Sequence, residues 1–69
     1  MEKRRLKNKI RVQRAIRNIT QEELAAAVGV TRKTINTIEN GIYTPSTVLA
    51  IRLARYFGIT VEELFQLEE

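Results

Sequence analysis

Cysteine and histidine are both missing from the 69 residues. Their absence removes disulfide staples, thiolate nucleophiles, zinc-ligand spacing and the side chain that most readily moves a proton near neutral pH. No nucleophile–base pair, metal cluster or glycine-rich phosphate loop stands in for them, so no catalysis, no metal and no cofactor are expected. Long hydrophobic runs are missing too: nothing approaches the ~20 apolar residues of a membrane span, and the basic N-terminus leads into no apolar signal-peptide core. A cytoplasmic location is expected. Length is also short, enough for one small core and too little for a catalytic domain beside a binding module or a separate sensor.

What is present is a foldable composition, 43% hydrophobic and 29% charged, with an uneven distribution of charge. Residues 1–17 carry eight Lys and Arg against Glu2 alone, a net of +7, while the remainder is net −3, for +4 in total. A basic balance of this kind favours a polyanionic partner such as nucleic acid. A solvated tail accounts for a charge run equally well, so charge alone does not decide. The sequence divides into a basic N-terminal arm, residues 1–7, and a folded domain, residues 8–69.

Apolar residues recur at helical spacing and no stretch is read as alternating with period two, which predicts an all-α fold of five helices. The first runs from about Asn8 to Arg17, turning Ile10 and Ala15 inward and ending before Asn18. Thr20-Gln21-Glu22-Glu23 is a capping box that starts the second, which buries Leu24, Ala25 and Val28 and stops at Gly29. Thr31 caps the third, Arg32 to about Asn40, with Ile35 and Ile38 inward. Ser46 caps the fourth, whose apolar residues are Val48, Leu49, Ile51, Leu53, Ala54 and Phe57. Thr60-Val61-Glu62-Glu63 is a second capping box and opens a short fifth helix bearing Leu64, Phe65 and Leu67.

Gln21 to Asn40 is thus two short helices joined by a turn too tight for antiparallel packing. They must cross steeply, with a small residue at the crossing (Ala25) and a residue without Cβ in the turn (Gly29). These are the demands of a helix-turn-helix, in which the second helix stands clear enough to enter a major groove. Ile19 to Gly41 (ITQEELAAAVGVTRKTINTIENG), then Pro45, Ser46 and FGITVEELF from Phe57 to Phe65, resemble the lambda-repressor-like (Cro/CI, or XRE-type) helix-turn-helix transcriptional regulators over nearly the whole length.

The resemblance implies roles position by position. Gln21 opens the second helix where relatives contact a phosphate, and Thr31 offers its amide and hydroxyl to another at a helix N-terminus. Arg32, Lys33, Asn36 and Thr37, on the side of the third helix opposite Ile35 and Ile38, are the candidate base readers. Arg can address guanine with two donors, Lys as a point charge, Asn can pair with adenine, and Thr can meet a thymine methyl. Asn40, Thr44 and Ser46 are candidate phosphate contacts, with capping or turn formation as the alternative role. Arg14 and Glu39 resemble a pair that ties the first helix to the end of the recognition helix.

Two positions depart from the family pattern: Gln13 stands where Leu is common, and Ile16 where a charge is usual, so a compensated local repacking of the first helix is expected, with an apolar spot shown to solvent or a partner as the alternative. The basic residues from Lys3 to Lys9 exceed what the core needs, and such arms can lie along phosphates or in a minor groove. One recognition helix reads about half a site, so a homodimer on an inverted repeat is expected. Leu64, Phe65 and Leu67 either cap the first and fourth helices or make the dimer contact, and the second is favoured here. The expected function is sequence-specific binding of double-stranded DNA by a transcriptional regulator, a repressor that occludes a promoter. The alternative is an antitoxin or other protein-partner module built on the same fold.

Overall fold

The computed structural model describes residues 6–68. In chain order the elements are β1 (Leu6–Asn8), α1 (Ile10–Arg17), α2 (Gln21–Val28), α3 (Arg32–Glu39), α4 (Thr47–Phe57), α5 (Val61–Leu64) and β2 (Phe65–Leu67). The five expected helices are present, and a small antiparallel sheet accompanies them. It pairs Leu6 with Leu67, Lys7 with Gln66 and Asn8 with Phe65. Leu6 and Lys7 therefore belong to the folded unit and not to the basic arm, whose Lys3, Arg4 and Arg5 lie outside the described residues. No helix among the described residues is long and apolar enough to cross a membrane.

The helix boundaries follow from capping chemistry. Thr20 and Thr60 each accept from the amide three residues on, while Glu23 and Glu63 return a carboxylate to the cap amide at 2.8 Å. Each arrangement satisfies two of the amides that a helix start leaves without partners. Thr31 and Ser46 cap α3 and α4 in the simpler way, accepting from Thr34 and Leu49. Asn18 ends α1 at φ 56°, in the left-handed region that Asn tolerates.

The core is built from Ile10, Leu24, Ala25, Val28, Ile35, Ile38, Leu49, Leu53, Ala54, Phe57, Leu64 and Phe65. One expectation of burial fails: Ala15 on α1 is exposed. Val48 and Ile51 on α4 are exposed as well, because the buried stripe of α4 runs through Leu49, Leu53, Ala54 and Phe57. Leu64 and Phe65 are buried at 0% and 7% exposure, which removes both from the candidate dimer contacts; Leu67 remains at 60%. The fifth helix also ends sooner than expected, since Phe65 turns extended (φ −123°, ψ 134°) and the chain continues as β2. At that point the Lys9 amide donates to the Leu64 carbonyl at 2.9 Å and joins the start of α1 to the end of α5.

α1 is held against α4 by Arg17. Its guanidinium stacks 5.0 Å from the Phe57 ring centroid and donates to the Phe57 carbonyl at the C-terminus of α4, where cations are favoured.

Candidate nucleic-acid interface

The corner between α2 and α3 has the construction its sequence demands. Gly29 takes φ 79°, which a Cβ would make costly. The Val30 amide returns to the Ala25 carbonyl at 2.9 Å, closing the turn beneath the small Ala25 side chain, which is 2% exposed. Ile35 and Ile38, at 0% and 1% exposure, then fix α3 to the core by one face. The opposite face of α3 is left to solvent with Arg32 and Lys33 fully in the open and Asn36 and Thr37 half-buried.

A polar network locks that helix in place. Arg14 on α1 donates to Glu39 on α3 through both Nε (2.6 Å to Oε2) and Nη2 (3.2 Å to Oε1). Its Nη1 also donates to the Ile19 carbonyl at 3.0 Å. The side chains are 17% and 0% exposed, so this pair is largely out of water. Burial alone would raise the Glu39 pKa. The hydrogen bonds from Arg14 and Gln21 and the charges of Arg14 and Arg11 outweigh it and hold the carboxyl below the usual range. Arg14 is shifted the other way, above its ordinary value, chiefly by its hydrogen bond to Glu39. Each partner thus favours the charged form of the other.

Gln21 sits at the centre of this network. Its Nε2 donates to Asn36 Oδ1 at 3.2 Å and to Glu39 Oε1 at 3.1 Å, while its Oε1 accepts from Arg32 Nη1 at 3.3 Å. The first residue of α2 therefore orients two of the four candidate base readers. Thr37 turns its hydroxyl back onto the Thr34 carbonyl at 2.9 Å, and its own carbonyl accepts from the Ile42 and Tyr43 amides, which folds the following loop against α3. Asn40 and Thr44 are exposed in or beside that loop, and Ser46 stands at the start of α4.

Two contributors escaped the sequence reading. Asn8 donates through Nδ2 to the Ile38 carbonyl at 2.9 Å, near the C-terminus of α3, and accepts from the Ile10 amide at 3.1 Å. One side chain thereby satisfies a late carbonyl of α3 and an early amide of α1. Arg11 donates to Asn40 Oδ1 at 3.3 Å and lies 3.6 Å from Glu39. The sequence signal for Asn8 is an Asn just ahead of a helical pattern, a familiar capping choice; nothing local reveals its second partner 30 residues away.

A sequence model of the helix-turn-helix matches residues 10–64, which covers every helix just described. The chain belongs to the helix-turn-helix family. It is 47% identical over 64 residues to an uncharacterised HTH-type transcriptional regulator of Methanocaldococcus jannaschii, covering 93% of this chain and 97% of that protein. At 35% identity over 57 residues it is similar to a cryptic phage transcriptional repressor, RstR, of Vibrio cholerae, covering 83% of this chain and 51% of that one. In three dimensions it is similar to the restriction-modification controller protein C.AhdI of Aeromonas hydrophila, with a TM-score of 0.75, 32% identity and 83% of both chains covered. This helix-turn-helix protein is a DNA-binding transcriptional regulator of the lambda-repressor-like, XRE-type class.

Proposed function

We propose that this regulator reads DNA sequence with α3 in the major groove, as a homodimer on an inverted repeat, and that it acts as a repressor by occluding a promoter. The observation that carries the reading is the two-sidedness of α3. Ile35 and Ile38 are buried, Arg32 and Lys33 stand open at its N-terminal end, and its one carboxylate, Glu39, is neutralised by Arg14. A helix so arranged offers DNA two cations and no exposed negative charge. In this reading Arg32, Lys33, Asn36 and Thr37 meet base edges. Gln21, Thr31, Asn40, Thr44 and Ser46 meet phosphates, with Thr31 and Ser46 standing at amide-rich helix starts. The dimer contact draws on apolar surface that the core leaves uncovered: Leu67 at 60%, Val48 at 61% and Ile51 at 43% exposure. A repressor also stands among the similar proteins, which supports the sign of the regulation.

Selection of bound duplexes from a random library at near-physiological salt tests the reading. The expected product is an inverted repeat with half-sites about one helical turn apart, lost when Arg32 and Lys33 are both replaced by Ala. No enriched motif refutes sequence reading. A protein-partner module is the second reading, and Val12 and Ile16 favour it: they lie one turn apart on α1 and are 54% and 68% exposed. Complete failure to retain DNA would favour that alternative.

A further inference from the structure

The N-terminal segment alternates. Leu6, Asn8 and Ile10 turn toward the protein, half-buried, half-buried and buried, while Lys7, Lys9 and Arg11 are exposed. Lys7 lies on the solvent side of β1, and Lys9 follows it as the residue that leads into α1 (φ −113°, ψ 28°). Pairing with β2 and the Asn8 bond to Ile38 fix this segment at the C-terminal end of the recognition helix. Arg11 carries the row onto α1, bonded to Asn40 at the last turn of α3. Lys7 borders the same surface cleft as Asn40, Gly41 and Glu68. Among the described residues no carboxylate lies within ion-pair distance of Lys7 or Lys9.

We propose that Lys7, Lys9 and Arg11 form a second DNA site, a phosphate-binding track that extends the contact from the end of α3 onto the backbone flanking the half-site. The proposal rests on the reading of α3 as the DNA-facing helix. A row of cations held by a strand and a helix start carries no base-reading geometry, so it adds affinity without sequence preference. It also accounts for charge that the core does not need, since Lys7, Lys9 and Arg11 are all exposed.

The test uses the full chain with Lys7→Gln and Lys9→Gln together, two exposed positions outside the Arg14–Glu39 network. The variant keeping both charges, Lys7→Arg with Lys9→Arg, is the control. Binding is measured against the selected duplex and a scrambled duplex of equal length over a range of salt, with thermal unfolding to verify the fold. The expected result is weaker binding of both duplexes, an unchanged ratio between them, and a salt slope reduced by about 3.6 for the dimer, at about 0.9 for each of four lost phosphate contacts. The Arg control restores the slope. An unchanged slope in the folded Gln variant, or a loss confined to the selected duplex, overturns the track while leaving α3 as the reader. Failure of the unaltered protein to select any duplex overturns both.

Discussion

Gln21 and Glu39 share a hydrogen bond, Nε2 to Oε1 at 3.1 Å, on a carboxylate that Arg14 already grips with two donors. The first residue of α2 and the last of α3 are thereby joined across the helix-turn-helix, and the orientation of α3 is set by α1 and α2 together. Geometry of this kind makes Arg14 and Glu39 residues of folding first.

Removing Arg14 alone leaves the Glu39 carboxylate, 0% exposed as a side chain, without its main counter-charge. Arg14→Ala is expected to destabilise the domain by about 3–5 kcal/mol in denaturant unfolding, whereas Arg14→Met with Glu39→Leu recovers most of that loss. A cost below about 1 kcal/mol for the single variant would refute the account.

Acid tests the same pair. The Glu39 pKa is held below its ordinary value, so the folded state favours the ionised form. Such a group contributes stability above its unfolded-state pKa, about 4.3, and loses that contribution as pH falls through the lower folded-state value. Stability should therefore drop below about pH 4.3, and Glu39→Gln should flatten that drop relative to the unaltered protein. Parallel curves for the two would contradict the assignment.

Thr60 caps a helix of only four residues, and its box with Glu63 is a large part of what holds that turn. Thr60→Ala is expected to cost about 1 kcal/mol in thermal or denaturant unfolding, and Thr60→Ser to cost much less.

At Gly29 the penalty for a side chain is conformational. A Cβ there would meet nothing closer than Arg52 Nη1 at 3.7 Å, an ordinary contact, but φ is 79°. Gly29→Ala should lose about 1–2 kcal/mol and Gly29→Asn less, since Asn tolerates this region. Equal losses for the two would point to crowding instead.

Variants at Lys33 and Gln21 test the proposed reading face of α3. Replacing Lys33 by Ala is expected to weaken binding to the selected duplex by about 1–3 kcal/mol and to relax preference at one base pair. Replacing Gln21 by Ala frees Arg32 and Asn36 from their tether, so it should broaden preference at more than one position. Both outcomes are read by repeating the duplex selection with each variant.

The helices were legible because their ends are written in side-chain chemistry. Thr20 with Glu23 and Thr60 with Glu63 name two starts, and Gly29 and Gly58 name two stops. The sheet was not, because three-residue strands leave too short a pattern for alternation to register. α4 shows the other limit: Val48 and Ile51 are as apolar as Leu49 and Leu53, and only tertiary packing selects which pair is covered. In the site, the open face of α3 followed from Ile35 and Ile38. The bonds linking Gln21 to Arg32, Asn36 and Glu39 did not, since those partners lie 11 to 18 residues away and meet only once the corner has formed.

Leu6 faces Leu67, so the two ends of the described chain leave the fold side by side from one rung of the sheet. Tension on those ends pulls across the strands and parallel to their hydrogen bonds, and opens the rungs in succession, as a zipper opens, without shearing them all at once. The rung pairing Asn8 with Phe65 is the last of the three. A pull that reaches it next loads the Asn8 bond to the Ile38 carbonyl at the end of α3. Of the two helices of the corner, α3 is thus the first to feel a mechanical load applied to the ends.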